Sequence, residues 1–286
     1  MKGFVFNFLR VARDWAMVGL NELLIRPLFW RRPRYDKKYR ISICAIFRDE
    51  ARFLKEWIEF HQMIGVDHFF LYNNKSRDDY AAVLRPYVDE GTVTLYDFPK
   101  DQAQLKAYRH FYDHHRHETQ WVSFLDIDEF FCPNTANGMS DWLKHYERYP
   151  VVLVYWKMFG TSGLMEHDDS KLVIEQYHVS WRGLYNVGKC LINTDYDILS
   201  WNADIHHATE VAYPILGVPV RVLPVNVFRR ATKGGCFFGC LQSKRHVPAQ
   251  INHYWSKAWD VYSHKMEYEG DVFFKNNPKR EFQYFL

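Results

Sequence analysis

Residues 121–131, WVSFLDIDEFF, indicate how this chain folds. The apolar first half is typical of a buried strand, and three acidic residues, Asp126, Asp128 and Glu129, follow it. Burying unpaired carboxylates in a core would be costly, whereas ligands of open α/β sheets bind beyond the carboxyl ends of the strands. The stretch therefore predicts a strand that ends at a binding site.

Stretches with strand character lie on both sides of this one and alternate with stretches of helical periodicity. Strands are predicted at 41–47, 67–74, 92–98 and 151–159, and helices at 50–64, 78–88, 101–117 and 140–149. Such alternation predicts right-handed βαβ units, and hence an α/β fold with a Rossmann-type, mostly parallel sheet flanked by helices. Beyond residue 160, LVIEQY (172–177) and KCLIN (189–193) have the character of further strands.

The net charge of +3 is unevenly distributed along the chain. Residues 1–40 hold ten basic and three acidic residues, a net charge of +7, whereas residues 41–286 hold 27 basic and 31 acidic residues, a net charge of −4. An acidic body argues against a nucleic acid partner, which requires a basic face. We therefore divide the chain into a basic N-terminal element (1–40), a main domain (41–270) and a loosely held C-terminal tail (271–286).

The N-terminal element begins with an amphipathic helix predicted over residues 4–21. Its polar sector gathers Asn7, Arg10, Arg13, Asp14 and Asn21, and most of the remaining surface is apolar. Two interpretations stay open. Residues 1–34 lie on an anionic membrane surface, or the helix packs on its own domain or on a second subunit, as in a homodimer.

Composition also bears on the cellular compartment. No stretch reaches the roughly 20 apolar residues of a membrane span, and charged residues interrupt what would be the apolar region of a signal peptide. Five cysteines, an odd number, form no legible disulfide framework, which suits a reducing compartment. We expect a cytoplasmic protein held peripherally on the inner face of the membrane.

The acidic motif itself indicates a chemistry. If strand alternation continues to its end, Asp126 and Asp128 point to the same side. Two carboxylates on one side suit a hard cation, Mg²⁺ or Mn²⁺, which would bridge the phosphates of a nucleotide. Because Asp-x-Asp alone occurs by chance in many chains, the apolar strand before it and Glu-Phe-Phe after it give the motif its weight.

Several colinear stretches resemble one family. They are ICAIFRDEARFLKEWIEFHQMIGVDHFFLYNN (43–74), VTLYDF (93–98), WVSFLDIDEFF (121–131), VYWKMFGTSG (154–163) and INHYWSKAWDVYSHKMEYEG (251–270). In these stretches the chain resembles glycosyltransferases of the family-2-like and family 92 group, which have the GT-A nucleotide-sugar fold. The resemblance implies a metal-dependent, inverting transfer of a hexose, of the galactose or glucose class, from a UDP-sugar to a hydroxyl of a glycan or lipid-linked saccharide acceptor.

The resemblance also implies roles for particular residues. Asp126 and Asp128 match the metal and nucleotide-sugar motif, and His253 is the candidate third metal ligand. The residues that would bind the donor are Arg48, Asp49, Glu50, Asn73, Asn74, Gln104, Lys106, Asp126 and Lys257. Each also has an ordinary structural interpretation, such as a local ion pair for Arg48 and Asp49 or a core histidine for His253. If residues 253–257 are helical, His253 and Lys257 share a face.

The general base of an inverting transfer would be a carboxylate that removes the acceptor proton. The candidates are Glu166, Asp168, Asp169, Glu175, Asp204 and Glu210. The resemblance favours Glu175, because its stretch is similar to the family's strand after FGTSG, and Asp169 is the second choice. Two other functions stay open: a nucleotidyl- or phosphotransferase on a related sheet, and a catalytically silent glycan-binding scaffold.

Overall fold

A computed structural model describes residues 2–31, 35–202, 205, 209–233 and 246–266. The predicted tail (271–286) and one candidate base, Asp204, lie outside these residues. The helices are α1 Lys2–Leu20, α2 Ala51–Met63, α3 Tyr80–Asp89, α4 Gln104–His115, α5 Met139–Leu143, α6 Val173–Gln176 and α7 Trp259–Met266. The strands are β1 Tyr39–Phe47, β2 His68–Asn73, β3 Val93–Asp97, β4 Thr119–Phe124, β5 Glu129–Cys132, β6 Val151–Met158, β7 Gly188–Asn193, β8 Asp197–Ile198, β9 Val211–Ile215, β10 Val218–Val222, β11 Val225–Asn226 and β12 Gln250–His253.

The main sheet has the order β3-β2-β1-β4-β7-β6-β12-β5, with β11 also paired to β6. Strands β1 to β4 are parallel, as are β6, β11 and β12, whereas β7 and β5 run antiparallel to their neighbours. The β3-β2-β1-β4 half has the order of a Rossmann-type sheet with its helices in the connections. The predicted α/β class, the mostly parallel sheet and the preceding helix α1 are thus confirmed.

Three local predictions were wrong in part. LVIEQY (172–177) was expected as a strand, but Val173–Gln176 form the short helix α6, because the Glu175 carboxylate accepts a hydrogen bond from the Leu172 N–H and closes a helical turn. The helix expected at 140–149 ends at Leu143. The strand expected within 121–131 is interrupted at 125–128 by a turn that separates β4 from β5.

Tight packing between β7 and β6 requires a glycine at the start of β7. A Cβ at Gly188 would lie 1.9 Å from the Val154 carbonyl oxygen, inside any allowed contact. The close approach brings the next residue, Lys189, against the end of β4 with its side chain 2% exposed. A lysine is therefore placed inside the sheet, where it requires negatively charged partners.

A neutral histidine in the core joins α2 to the strand after the acidic turn. His61 has Nδ1 2.8 Å from the Trp57 carbonyl oxygen, while the Phe131 N–H donates to Nε2 at 3.2 Å. Because Nε2 accepts a hydrogen bond, the ring carries its single proton on Nδ1. Burial lowers the pKa of His61 to about 4.

This histidine makes stability depend on pH. His61 binds a second proton with a pKa of about 6.5 in the unfolded chain but only near 4 in the folded chain. Its neutral form therefore makes its full contribution to the free energy of unfolding above pH 6.5. That contribution should fall by about 3 kcal/mol as the pH decreases to 4. Urea unfolding at pH 7.5 and 4.5 checks this: the stability difference between the wild type and His61→Gln should narrow at pH 4.5. His117→Gln, at an exposed histidine, is the control, and a difference that stays constant with pH would contradict the assignment.

The N-terminal element is attached to the main domain through both polar and apolar contacts. Asn21 is buried, and its Oδ1 accepts the Leu223 N–H at 3.0 Å, while Glu22 accepts the Ala231 N–H at 2.9 Å. Further along, buried Phe29 contacts the ring of Tyr213 at 4.8 Å. In the part of the chain that the structure describes, no helix combines the length and apolar character needed to cross a bilayer.

Candidate active site

The acidic motif forms the turn between β4 and β5, so strand alternation does not govern its side chains. Asp126 and Asp128 therefore make different contacts instead of sharing a side. The Asp126 N–H donates to Glu129 Oε2 at 3.0 Å, which folds the turn over the buried Glu129 carboxylate. The register of β5 against β12 places Glu129 opposite His253, and the Tyr254 N–H donates to the Asp128 carbonyl oxygen at 2.8 Å. The turn is thus fixed on β12.

Asp128 lies between a histidine and a lysine. Its Oδ1 is 3.6 Å from His253 Nε2, and its Oδ2 is 3.4 Å from Lys265 Nζ. Lys265 also lies 3.1 Å from Glu50 Oε1, so it bridges two of the predicted site residues. Burial would raise the pKa of Asp128, but the charges of Lys265 and His253 outweigh it and hold that pKa well below its usual range. Asp128 is therefore an ionised carboxylate, as a metal ligand must be.

Asp128 and His253 are the pair that fits a divalent cation. Ligands sharing an octahedral cation at about 2.1 Å lie about 3 Å apart, so a separation of 3.6 Å needs only a small adjustment. A carboxylate and an imidazole leave positions for phosphate oxygens and water, the usual arrangement for Mg²⁺ or Mn²⁺ at nucleotides. Among the described residues, no group of three or more His, Cys, Asp or Glu side chains is placed to hold a metal ion.

Asp126 is occupied by other partners. Its Oδ2 is 2.8 Å from Lys189 Nζ, and its Oδ1 accepts a hydrogen bond from Gln104 Nε2 at 3.2 Å. Lys189 also lies 3.3 Å from Glu129 Oε2. Burial raises the pKa of Glu129 to about 7 against the opposing charge of Lys189. Gln104, predicted to bind the donor, thus contacts the acidic turn, whereas Lys189 and Lys265 were not among the predicted site residues.

Lys257 is buried beside the same cluster. Its Nζ has no hydrogen-bond acceptor among the described residues and lies 4.4 Å from the centre of the Phe53 ring. Burial and the neighbouring charge of Lys265 lower the pKa of Lys257 to about 8. Residues 253–257 are not helical, since His253 ends β12 and Lys257 has a φ of +52°. The predicted shared helical face is therefore wrong, although both residues adjoin Asp128.

A cavity of about 700 Å³ opens next to this cluster at the carboxyl end of β1. It is lined by Arg48, Asp49, Glu50, Ala51, Arg52, Phe53, Arg77, Asp78, Asp260, Val261, His264 and Lys265. The predicted donor residues Arg48, Asp49 and Glu50 therefore border one space with Lys265. Its volume and mixed charge suit a small polar ligand.

Several predicted donor residues shape the loops around this cavity. Arg48 Nε donates to the Asn74 carbonyl oxygen at 2.7 Å, and Asn74 Nδ2 donates to the Phe98 carbonyl oxygen at 2.9 Å. Asn73 is buried and donates to Asp97 Oδ1 at 2.9 Å. Asp49 has a φ of +52° and accepts the Arg77 N–H at 2.5 Å. These contacts tie the loops after β1, β2 and β3 together.

The remaining candidates lie further from the acidic turn. Lys106 is exposed and donates to the Asp101 carbonyl oxygen at 2.8 Å. Asp169 is exposed and pairs with Arg52, a residue that lines the cavity. Glu175 is exposed and is bonded to the first turn of its own helix. The structure thus brings Asp128, His253, Lys257 and Glu50 together, and none of the described contacts joins Glu175 or Lys106 to them.

In sequence, the chain is similar to known glycosyltransferases. Residues 37–227 match the model of glycosyltransferase family 92. A family 92 protein of Ricinus communis is 33% identical over 136 residues, covering 46% of this chain and 25% of that protein. One from Oryza sativa is 36% identical over 140 residues, covering 46% and 24%. The Arabidopsis thaliana galactan β-1,4-galactosyltransferase GALS3 is 28% identical over 112 residues, covering 34% and 22%. The chain thus spans about a quarter of the length of the curated relatives it matches.

Solved structures give fainter likenesses. S. aureus TarS 1–349 has a TM-score of 0.38 at 11% identity, covering 54% of this chain and 47% of that one. Glucosyl-3-phosphoglycerate synthase of Mycobacterium tuberculosis, in complex with Mn²⁺, UDP and glucosyl-3-phosphoglycerate, has a TM-score of 0.30 at 15% identity, covering 44% and 50%. Scores this low support no further conclusion. The match to the family model, by contrast, covers well over half of the chain and includes Asp126 and Asp128. This chain belongs to glycosyltransferase family 92.

Proposed function

We propose that this protein is a metal-dependent, inverting glycosyltransferase that moves a hexose from a UDP-sugar to a hydroxyl of a glycan or lipid-linked saccharide. The observation that carries the proposal is the Asp128–His253 pair, 3.6 Å apart, beside a polar cavity at the carboxyl end of the sheet. Family membership supports the reaction class. The relative named as a galactan β-1,4-galactosyltransferase supports a donor of the galactose class.

The side chains suggest how the transfer proceeds. Asp128 and His253 would hold Mn²⁺ or Mg²⁺, which neutralises charge on the diphosphate when bound. Lys265 and Lys257 lie beside them and supply further positive charge where the leaving UDP develops negative charge. Arg48, Asp49 and Glu50 border the space for the nucleoside. Lys265 contacts Glu50 and Asp128 and also lines the cavity, so its ammonium group could reach a bound phosphate by a side-chain rotation alone.

The acceptor proton requires a carboxylate base. Asp169 is exposed at the rim of the cavity and is held by Arg52, so it needs no rearrangement of the backbone to meet a ligand. Glu175 would first have to release the Leu172 N–H that it caps. Asp169 is therefore the candidate base that we favour over Glu175.

Product analysis tests the reaction class. The protein is incubated with Mn²⁺ and a panel containing UDP-galactose and UDP-glucose, with and without EDTA. Release of UDP that EDTA abolishes, together with an acceptor extended by one hexose, is the expected result. Release of pyrophosphate would instead indicate a nucleotidyl- or phosphotransferase. Sugar binding with no nucleotide release from any donor would indicate a silent glycan-binding scaffold.

We also propose that the N-terminal element docks the protein on the anionic inner face of the membrane. One side of the N-terminal element faces the main domain, where Asp14, Val18 and Asn21 are buried. The apolar residues Leu9, Val11, Trp15 and Leu20 of α1 lie away from that side and are exposed. Much of the apolar surface of α1 is therefore not covered by its own domain, and the +7 charge of residues 1–40 complements anionic head groups.

The exposed apolar surface continues beyond the helix. Leu23 is 74% exposed and Trp30 is 72% exposed. The tip of the β9–β10 hairpin adds Leu216, which is 98% exposed. Trp30 and the neighbouring Gly217 line one cavity, so the hairpin tip and the N-terminal element lie side by side. The N-terminal element and the hairpin tip would thus contact a bilayer at two separate apolar points.

Vesicle binding tests this docking. Leu23→Asp combined with Leu24→Asp should lower co-sedimentation with phosphatidylcholine–phosphatidylserine vesicles at least tenfold, because burying one leucine contributes about 1.5–3 kcal/mol. Substitution is preferable to removal of residues 1–34, since Val18 and Phe29 are buried against the domain.

The control is Val88→Asp, an exposed residue of α3 at the opposite end of the sheet. Equal binding of the double variant and the wild type would rule out lipid docking. A dimer that dissociates in the double variant, without any lipid binding by the wild type, would show that this surface meets a second subunit instead.

A further inference from the structure

Three aromatic rings form a surface that starts at the candidate metal ligand His253. The ring of Trp156, on β6, lies 4.5 Å from His253 and 6.3 Å from Tyr185, with an interplanar angle of 17° to the latter. Tyr185 in turn lies 5.8 Å from Trp181. Trp156 is half-buried, Tyr185 is 38% exposed and Trp181 is 56% exposed. The rings therefore lead from the site to the protein surface.

The backbone holds these exposed rings in place. The Tyr185 N–H donates to the Trp156 carbonyl oxygen at 2.7 Å, and the Trp181 N–H donates to the Met158 carbonyl oxygen at 2.9 Å. Lys157 Nζ donates to the carbonyl oxygens of both Trp181 and Arg182. Because the segment is already fixed against β6, a ligand that covers the rings loses little free energy to ordering them.

The position of the rings separates them from the donor cavity. That cavity adjoins Asp128 through Glu50 and Lys265, and none of the three aromatic residues lines it. The aromatic surface approaches the same carboxylate through His253 instead. A molecule lying along the rings would thus reach the reaction centre without entering the nucleotide space, as an acceptor must.

We propose that Trp181 and Tyr185 form an acceptor subsite for a neutral, β-linked oligosaccharide, at least one sugar away from the ring that receives the hexose. The proposal rests on the proposed function. A pyranose ring presents a flat patch of C–H groups and keeps its hydroxyls at the rim, so it stacks on an exposed aromatic face. Because the planes of Trp181 and Tyr185 meet at 75°, one flat sugar ring cannot stack on both, so the two rings fit successive sugars of a chain better than a single sugar or a lipid tail.

The test compares acceptors of different length. With β-1,4-galactotetraose, Trp181→Ala should raise the acceptor KM about tenfold with little change in kcat. With galactose as acceptor, the same variant should behave as the wild type, and the KM for the UDP-sugar should not change. Trp181→Phe should restore most of the tetraose affinity, and Val179→Ala, at an exposed neighbour, is the matched control.

A second readout does not depend on turnover. Tryptophan fluorescence titrations with β-1,4-linked galacto-, gluco- and mannotetraose measure binding directly. Tetraose binding by the wild type that weakens about tenfold in Trp181→Ala supports the subsite, even if no donor is turned over and the proposed function fails. Unchanged affinity in Trp181→Ala, equal loss with galactose and tetraose, or no binding of any tetraose by the wild type would overturn it.

Discussion

Asp128→Asn is expected to lower kcat/KM for sugar transfer by about 10³-fold, or about 4 kcal/mol of transition-state stabilisation. The amide keeps the shape of the side chain but removes the negative charge that faces His253 and Lys265. Without that charge, the only remaining candidate ligand of the pair is the His253 imidazole, and the Lys265 ammonium group lies close to it. The cation would then be repelled where the carboxylate had attracted it.

Two measurements check this result. Initial rates of UDP release over a Mn²⁺ titration give kcat/KM, and electron paramagnetic resonance of free Mn²⁺ gives cation affinity in the presence of UDP. Both should fall in Asp128→Asn, and cation affinity should also fall in His253→Ala. Asp113→Asn, an exposed residue paired with Arg109 on α4, is the control. Wild-type rates and Mn²⁺ affinity in Asp128→Asn would show that the cation binds elsewhere.

The elements of the main sheet could be predicted because their sequence patterns are local. Residues 41–47 of β1 are buried and apolar except for Ser42, and α2 repeats Phe53, Leu54, Trp57 and Ile58 at helical spacing on one buried face. Residues 172–177 have a strand-like composition, yet the carboxylates of Glu175 and the distant Glu56 accept the N–H groups of Leu172, Val173 and Ile174 and so stabilise a helical turn. Periodicity over six residues cannot detect those hydrogen bonds.

From the residue pattern alone, the site could be predicted only where acidic residues follow an apolar strand. Asp126 and Asp128 were found from their place after an apolar run, but the turn that separates their directions depends on the buried Glu129 carboxylate. Lys189 and Lys265 were missed because their partners are distant in sequence: Lys265 lies 137 positions from Asp128. One signal was available, since Lys189 is a charged residue inside the otherwise apolar stretch KCLIN, where burial requires an acidic partner.

Lys189→Met is expected to destabilise the fold by about 3–5 kcal/mol, because it leaves two carboxylates next to each other without their shared cation. Lys189 Nζ lies 2.8 Å from Asp126 and 3.3 Å from Glu129, and both Lys189 and Glu129 are almost completely buried. Methionine has a similar length, so the loss would come from charge rather than from a cavity. Urea unfolding at pH 7.5 measures it, with Lys144→Met as the exposed control, expected to change stability by less than about 0.5 kcal/mol.

The pH dependence of the variant identifies the cause. Burial already raises the pKa of Glu129 to about 7, and loss of the lysine would raise it further. The folded variant would then bind a proton at a higher pH than the folded wild type, whose Glu129 binds it near pH 7, so the deficit should shrink as the pH falls toward 7 and change little below pH 6. Adding Glu129→Gln should recover about 2 kcal/mol at pH 7.5 by removing one of the unpaired charges. Additive losses in the double variant, or a deficit that does not change with pH, would show that Lys189 stabilises the sheet by packing and does not hold the acidic turn.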